Sequence, residues 1–336
     1  MSLPALTLGR RVSIVFASAS LLALTACSGG DAGDGEKQAD SKAGGYPRTI
    51  THAMGKTTIG NKPKTVAALD SSYVDAAVAL GIKVVAATRY PAASEQLPDY
   101  LPAEDKKFAA DAKIVGEQDA PDVEKLYDAK PDVIVSAKIR HEKIYDELSN
   151  VAPTIFSEST GLTWKDNIRL LGKAFDKEKV AEDKINAYEE RAAKIGAAIK
   201  KKHGADTSVS LARFTEGEST VRLYSSASFP GTVFSDTGLQ RAKGQPDVKD
   251  SIKIDLSQEE ISKLDADRIF VATYADPREN KENPKKRFQA NPLWGALKGE
   301  TTDVDDTSWI TSVSLQGANV ILDDLAEQFG VDPARS

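Results

Sequence analysis

From Tyr46 onward, short apolar runs alternate with segments of helical character. Thr65-Val-Ala-Ala-Leu69 follows a proline and reads as a strand, and Val74 to Leu80 is helical in composition and stops at Gly81. Lys83-Val-Val-Ala-Ala87 and Asp132-Val-Ile-Val-Ser136 read as a second and a third strand, Glu142 to Ser149 as a helix, and Thr154-Ile-Phe156 as a fourth strand. Continuous apolar strands separated by helices predict a parallel sheet covered on both faces.

The pattern then changes. No strand signal occurs between Trp164 and about His203. Within that stretch Val180 to Lys202 predicts one long helix, with Val180, Ile185, Tyr188, Ala192, Ile195 and Ile199 recurring at helical spacing and charged residues filling most of the rest. Strand–helix alternation restarts afterwards with Ser208–Arg213, Val221–Tyr224 and Arg268–Thr273, and Leu315 to Phe329 closes as an amphipathic helix. The long helix is therefore expected to connect two lobes rather than to lie on the surface of one. An internal echo supports two related lobes. Pro121–Asp132 leads into Val-Ile-Val and Leu256–Asp267 into Arg-Ile-Phe-Val, with Glu124 and Glu259 each eight positions before the closing aspartate.

The N-terminal 26 residues have a different character. Arg10 and Arg11 precede an apolar run from Val12 to Leu24, and Thr25-Ala26 ends it with small residues, the layout of a secretory leader. Leu24-Thr25-Ala26-Cys27 looks like a bacterial lipobox, and Cys27 is the chain's only cysteine. A doubly acylated Cys27 would anchor the chain stably to a membrane. The Asp/Gly/Lys/Ser stretch to about Gly45 is too polar to order itself and reads as a tether.

Composition removes several function classes. With 44 Lys+Arg against 50 Asp+Glu the net charge is −6, which argues against nucleic acid as the main partner. One cysteine and three histidines exclude an intramolecular disulfide and leave little for a metal cluster, so neither a metal nor a cofactor is expected. No Gly-x-Ser-x-Gly elbow, Walker loop or Gly-x-Gly-x-x-Gly follows a strand, which leaves a secreted hydrolase as a minor alternative to a non-enzymatic protein.

In open α/β sheets ligands bind beyond the carboxyl ends of the strands. The residues found there are cationic and aromatic: Tyr73, Arg89, Tyr90 and Arg140 in the first lobe, and Arg213, Arg222, Tyr224, Tyr274 and Trp309 in the second. These nine are the candidate ligand-binding residues. The plainer alternatives are solvated surface charges for Arg89 and Arg140, strand-end core residues for Tyr73, Tyr90 and Tyr274, and a cap or surface role for His141.

The order and spacing of these segments resemble the solute-binding lipoproteins of bacterial iron–siderophore ABC importers. The resemblance is carried by the lipobox, Pro63–Asp70 with Ala76–Gly81, Pro121–Val135, Arg222–Gly238, Ser257–Phe270, and Trp309 with the final helix. It implies an α/β fold of two Rossmann-like lobes with parallel-type sheets joined by one long rigid α-helix. The corresponding divisions are a leader at 1–26, a tether at 27–45, lobes at 46–160 and 205–336, and a helical linker at 161–204. It further implies a monomer, lipid-anchored on the extracytoplasmic face of the cell membrane, that captures a ferric siderophore between its lobes. The block Arg213–Tyr224 favours the hydroxamate type; heme or a corrinoid in the same fold is the alternative. Iron in such a complex is already saturated, so the protein needs arginines for the chelating oxygens and aromatic faces for the organic frame. The same resemblance implies that one glutamate per lobe, here Glu124 and Glu259, docks onto an ABC permease dimer served by its ATPase. The plainer reading of both glutamates is opposition to the helix dipole.

Overall fold

The computed structural model describes residues 45–91, 97–276, 278 and 281–335. The leader, Cys27 and the tether up to residue 44 lie outside them. The first sheet runs Lys113–Ile114, Lys83–Ala87, Thr65–Ala68, Val133–Ala137, Thr154–Ser157, parallel throughout. Its strands are the continuous apolar runs of the sequence; Val133–Ala137 is buried at every position, as a strand covered on both faces must be. A hairpin of Arg48–His52 and Gly55–Ile59 stands beside this lobe. Only Ile50 and Ile59 of its residues are buried, so it carries no apolar run to announce it.

The second sheet keeps a parallel core and adds antiparallel pairings along one edge. Its order is Lys253–Leu256, Val221–Tyr224, Ser208–Thr215, Arg268–Tyr274, Glu300–Val304, with Gln240–Arg241 beside the start of Ser208–Thr215. Ser208–Thr215, Arg268–Tyr274 and Glu300–Val304 are mutually parallel, whereas Val221–Tyr224 is antiparallel to both of its neighbours. Only residues 216–220 separate Thr215 from Val221, too few for the crossover that a parallel return needs.

The internal echo has a structural counterpart. Asp132 Oδ2 accepts hydrogen bonds from the Thr65 amide and hydroxyl at 2.9 and 3.0 Å, and the Asp132 amide donates back to Thr65 Oγ1 at 3.1 Å. In the second lobe Asp267 Oδ2 accepts from the Ser208 amide and hydroxyl at 2.7 and 2.8 Å, and its amide returns a bond to Ser208 Oγ at 3.1 Å. Each latch ties the start of one central strand to the start of its parallel neighbour. The helices that precede the two aspartates are built differently: Val123–Ala129 is α-helical and Gln258–Leu264 is a 3₁₀ helix. Glu124 and Glu259 nevertheless take the same place, two residues past the caps Asp122 and Ser257, and both are exposed.

Between the sheets run two helices, Trp164–Phe175 and Glu178–His203. The long one buries Ala181, Ile185, Tyr188, Ala192, Ile195, Gly196 and Ile199; Val180, counted in the apolar stripe, is 39% exposed, and Ala181 takes its place. This face packs on Trp164–Phe175, Phe229–Thr237 and Leu315–Gln328. Tyr188 donates to Asp236 Oδ2 at 2.9 Å, and Arg191 donates to Asn319 Oδ1 at 2.8 Å. One apolar core thus extends from Val66 and Val84 through Ile185 and Ile195 to Val209 and Leu322.

Three residues expected on the cleft belong to this interior instead. Tyr73 is fully buried with its hydroxyl bonded to that of Ser157. Tyr90 is 1% exposed and donates to Asp75 Oδ1 at 2.5 Å, beside Tyr100, which donates to Oδ2 at 2.6 Å. Trp309 donates to Asp324 Oδ2 at 2.6 Å and packs 4.7 Å from the Phe270 ring. In each case a polar partner allows the aromatic to be buried whole.

Two predictions follow from the core. A Cβ on Gly196 would lie 1.8 Å from the Thr237 carbonyl oxygen, so the long helix and Phe229–Thr237 touch through this glycine. Alanine gains up to about 1 kcal/mol of helix propensity, but overpacking against rigid backbone costs about 1–3 kcal/mol. Gly196→Ala should lower the urea midpoint; a midpoint at or above wild type would contradict the close crossing. The second concerns Asp75, whose carboxyl burial pushes from 3.8 up to about 7, with Tyr100, Tyr90 and Ser314 as donors offsetting only part of that rise. The native state then holds a proton between about pH 4 and 7 that the unfolded chain has lost, so this contribution is full below pH 4 and fades as pH rises through 7. A displacement of that size corresponds to roughly 4 kcal/mol. Stability of Asp75→Asn relative to wild type should therefore rise between pH 4.5 and 8 in urea titrations, and a pH-independent difference would refute it.

Candidate functional site

The strands of the two sheets end toward a shared cleft of about 740 Å³. Asp70 follows Thr65–Ala68, Ile139 and Arg140 follow Val133–Ala137, and Ser159 to Leu162 follow Thr154–Ser157. Opposite them stand Arg213 and Thr215 near the end of Ser208–Thr215, Arg222 and Tyr224 on the antiparallel neighbour, and Tyr274 at the end of Arg268–Tyr274. The floor is closed where the Ser71 hydroxyl donates to the Thr311 carbonyl at 3.3 Å. A wider hollow of about 950 Å³ lies where Ser208, Arg268 and Glu300 begin their strands. The cleft is the candidate site because it lies beyond the carboxyl ends.

Each cleft arginine already faces a carboxylate. Asp70 caps the helix Ser71–Ala79 through Oδ1, which accepts from the Ser72 amide at 2.9 Å and its hydroxyl at 2.6 Å. Its other oxygen accepts from Arg140 Nε at 3.0 Å. Arg140 Nη1 also lies 3.9 Å from Asp119 Oδ1, another residue of the cleft wall. Arg213 is held harder: Nε and Nη2 each lie 2.6 Å from an Asp306 oxygen, Nη1 donates to the Tyr224 hydroxyl at 3.2 Å, and the Tyr274 ring covers Cζ at 4.9 Å. Burial alone would depress the Arg213 charge; Tyr224 and Asp306 more than offset it and raise its pKa. The bidentate edge of Arg213 is thus taken by Asp306. Losing one member of a pair this buried, 11% and 9% exposed, costs about 3–5 kcal/mol. Arg222 forks onto Glu218, with Nε 3.0 Å from Oε2.

Arg140, Arg213, Arg222, Tyr224 and Tyr274 are therefore brought together on the wall. Arg89 is not among the lining residues; it pairs with Glu117 at 3.1 Å, and Glu117 also accepts from Arg278 at 3.2 Å. His141 is buried. The Gln118 carbonyl, 2.8 Å from Nε2, can only accept, so Nε2 carries the proton and Nδ1 accepts from Ser136 at 2.7 Å. Burial lowers its pKa and keeps it neutral, and the ring steadies the Gln118–Asp119 turn at the cleft wall. Among the described residues no group of three or more His, Cys, Asp or Glu is placed to hold a metal ion.

Sequence reasoning did not find Asp70, Asp306, Ile139, Leu162 or Ile252. The capping half of Asp70 is visible in Asp70-Ser-Ser, an ordinary N-cap signature. Asp306 lies 93 positions from Arg213, and nothing local marks the pairing.

Residues 66–299 match the model of a family described as periplasmic binding protein. A relative in Bacillus subtilis, named probable siderophore-binding lipoprotein YfiY, is 34% identical over 92% of this chain and 95% of its own length. Another from the same organism, Fe(3+)-citrate-binding protein YfmC, is 29% identical over 86% and 87% respectively. The crystal structure of Staphylococcus aureus SirA complexed with staphyloferrin B superposes with a TM-score of 0.76 at 31% identity, over 85% of this chain and 99% of that one. The two-lobed fold, the cleft at the strand ends and these matches lead to one conclusion: the chain belongs to the periplasmic binding protein family.

Proposed function

We propose that this protein is an extracytoplasmic binding protein that captures a ferric siderophore in its cleft and hands it to an ABC permease dimer. The observation that carries this reading is the gathering of Arg140, Arg213, Arg222, Tyr224 and Tyr274 from two sheets around one cleft without a metal-ligand set among them. A chelate already saturates its iron with oxygens and presents them for guanidinium donors, so such a wall suits binding rather than turnover. The names of YfiY and YfmC and the SirA complex support the same class of ligand. A hydroxamate type is favoured. Asp70, Asp306 and Glu218 balance the three arginines, and a near-neutral wall suits a chelate of low net charge better than a polyanion. The remaining parts of the proposal are lobes at 46–160 and 205–336 with a linker at 161–204, and a membrane anchor on lipidated Cys27.

Titration of purified protein with ferrioxamine, a ferric catecholate, hemin and cobalamin, followed by tryptophan fluorescence, tests the ligand. Saturable binding of ferrioxamine in preference to the others is expected; tighter binding of hemin or cobalamin would replace this reading. Delivery is tested separately. Glu124 and Glu259 are exposed and occupy the same position past their caps, so one contact per lobe suits a permease with twofold symmetry. Charge pairs at an interface rim set register and encounter rate more than gross affinity. The double variant Glu124→Ala, Glu259→Ala should bind the chelate as wild type does and fail to support iron uptake. Wild-type uptake by that variant would leave the two glutamates as helix-dipole partners only.

A further inference from the structure

Six large apolar side chains are conspicuously exposed among the described residues, and three of them, Ile139, Leu162 and Ile252, line this one cleft. They come from unrelated places. Ile139 lies in the short helix after Val133–Ala137, Leu162 in the turn after Thr154–Ser157, and Ile252 just before Lys253–Leu256 of the other sheet. Their exposures are 71%, 57% and 48%. Single exposed apolar residues are unremarkable on a protein surface, but convergence of three on one concave site marks a surface meant to be covered.

Two elements at this rim come close together. A Cβ placed on Gly161 would lie 3.9 Å from Ile252 Cγ2, so the Gly161–Leu162 turn and Ile252 approach each other across the cleft. On the wall of the same cleft the charges are already matched, Arg140 on Asp70, Arg213 on Asp306 and Arg222 on Glu218. The site therefore has a charge-balanced donor wall and an exposed aliphatic rim. A ligand that satisfies both carries its oxygen donors at one end and saturated carbon at its periphery.

We infer that Ile139, Leu162 and Ile252 form an aliphatic collar that selects ferric chelates by their polymethylene spacers, while the arginines of the wall meet the chelating oxygens whatever joins them. This rests on the proposed ferric hydroxamate reading and adds to it the part of the ligand that is discriminated. Carboxylate-rich or catecholate chelates of the same size offer charge or aromatic edges where the collar offers aliphatic surface, and gain less from it. The collar residues are exposed already, so polar replacements leave no cavity in the core.

The test uses two neutral ferric hydroxamates with the same six donor oxygens: ferrioxamine E, whose hydroxamates are joined by polymethylene spacers, and tris(acetohydroxamato)iron(III) in excess acetohydroxamate, which has none. Affinities are measured for wild type and for Ile139→Ser, Leu162→Ser, Ile252→Ser and the triple variant, with thermal melts run alongside. Each single change should weaken ferrioxamine E about tenfold and the triple at least about a hundredfold, with melting unchanged. Affinity for the spacer-free chelate should stay within about twofold, since it buries little against the collar. Wild-type affinity for ferrioxamine E in the triple variant would overturn the collar while the hydroxamate reading stands. Equal weakening of both chelates would overturn it too, by showing that the arginine wall and not the spacers was disturbed. Binding of neither chelate by wild type would remove the hydroxamate reading itself.

Discussion

One buried helical face holds the molecule together. Ala181, Ile185, Tyr188, Ala192, Ile195, Gly196 and Ile199 must meet helices that cover both sheets, and they leave no room for slack. Gly196 shows how tight the fit is, since the neighbouring backbone occupies the space of a methyl group. The orientation of the sheets, and with it the width of the cleft, depends on this packing. The outer side of the same helix is free to be charged, and Lys179–Asp183 and Arg169–Glu182 on or against it are solvent-facing pairs that add little stability.

The cleft repeats the theme of fixing before binding. Arg213 loses its rotamer freedom to Asp306, Tyr224 and Tyr274, all groups of the chain itself, and Arg140 loses part of its freedom to Asp70. Conformational entropy that would oppose binding is spent during folding. Asp70 serves both processes, because the carboxylate that starts the helix Ser71–Ala79 also aims the arginine.

Much of the scaffold is legible in the sequence because burial on both faces leaves a continuous apolar run, as in Lys83–Ala87 and Val133–Ala137. Strand direction is another matter. Val221–Tyr224 reads like its neighbours and runs the opposite way, since the length of residues 216–220 decides that rather than the strand itself. Tyr73, Tyr90 and Trp309 stand at strand or helix ends, where core and cleft demand the same residue type. Their hydroxyl and indole partners, Ser157, Asp75 and Asp324, separate the two cases, and only folding brings them close. Ile139, Leu162 and Ile252 escape for the converse reason, as lone apolar residues among polar neighbours break no period that a pattern search follows.

The paired latches, Asp132 on Thr65 and Asp267 on Ser208, sit at the strand starts, the far end of each sheet from the cleft. They fix the pairing of the central strands without any help from the loops that follow those strands. The two ends of each sheet therefore answer to different constraints. Changes at Ile139, Leu162 or Ile252 alter the cleft rim without touching strand registration, which rests on Thr65, Asp132, Ser208 and Asp267, none of them among the residues that line the cleft. The rim can therefore be redesigned residue by residue on an unaltered scaffold.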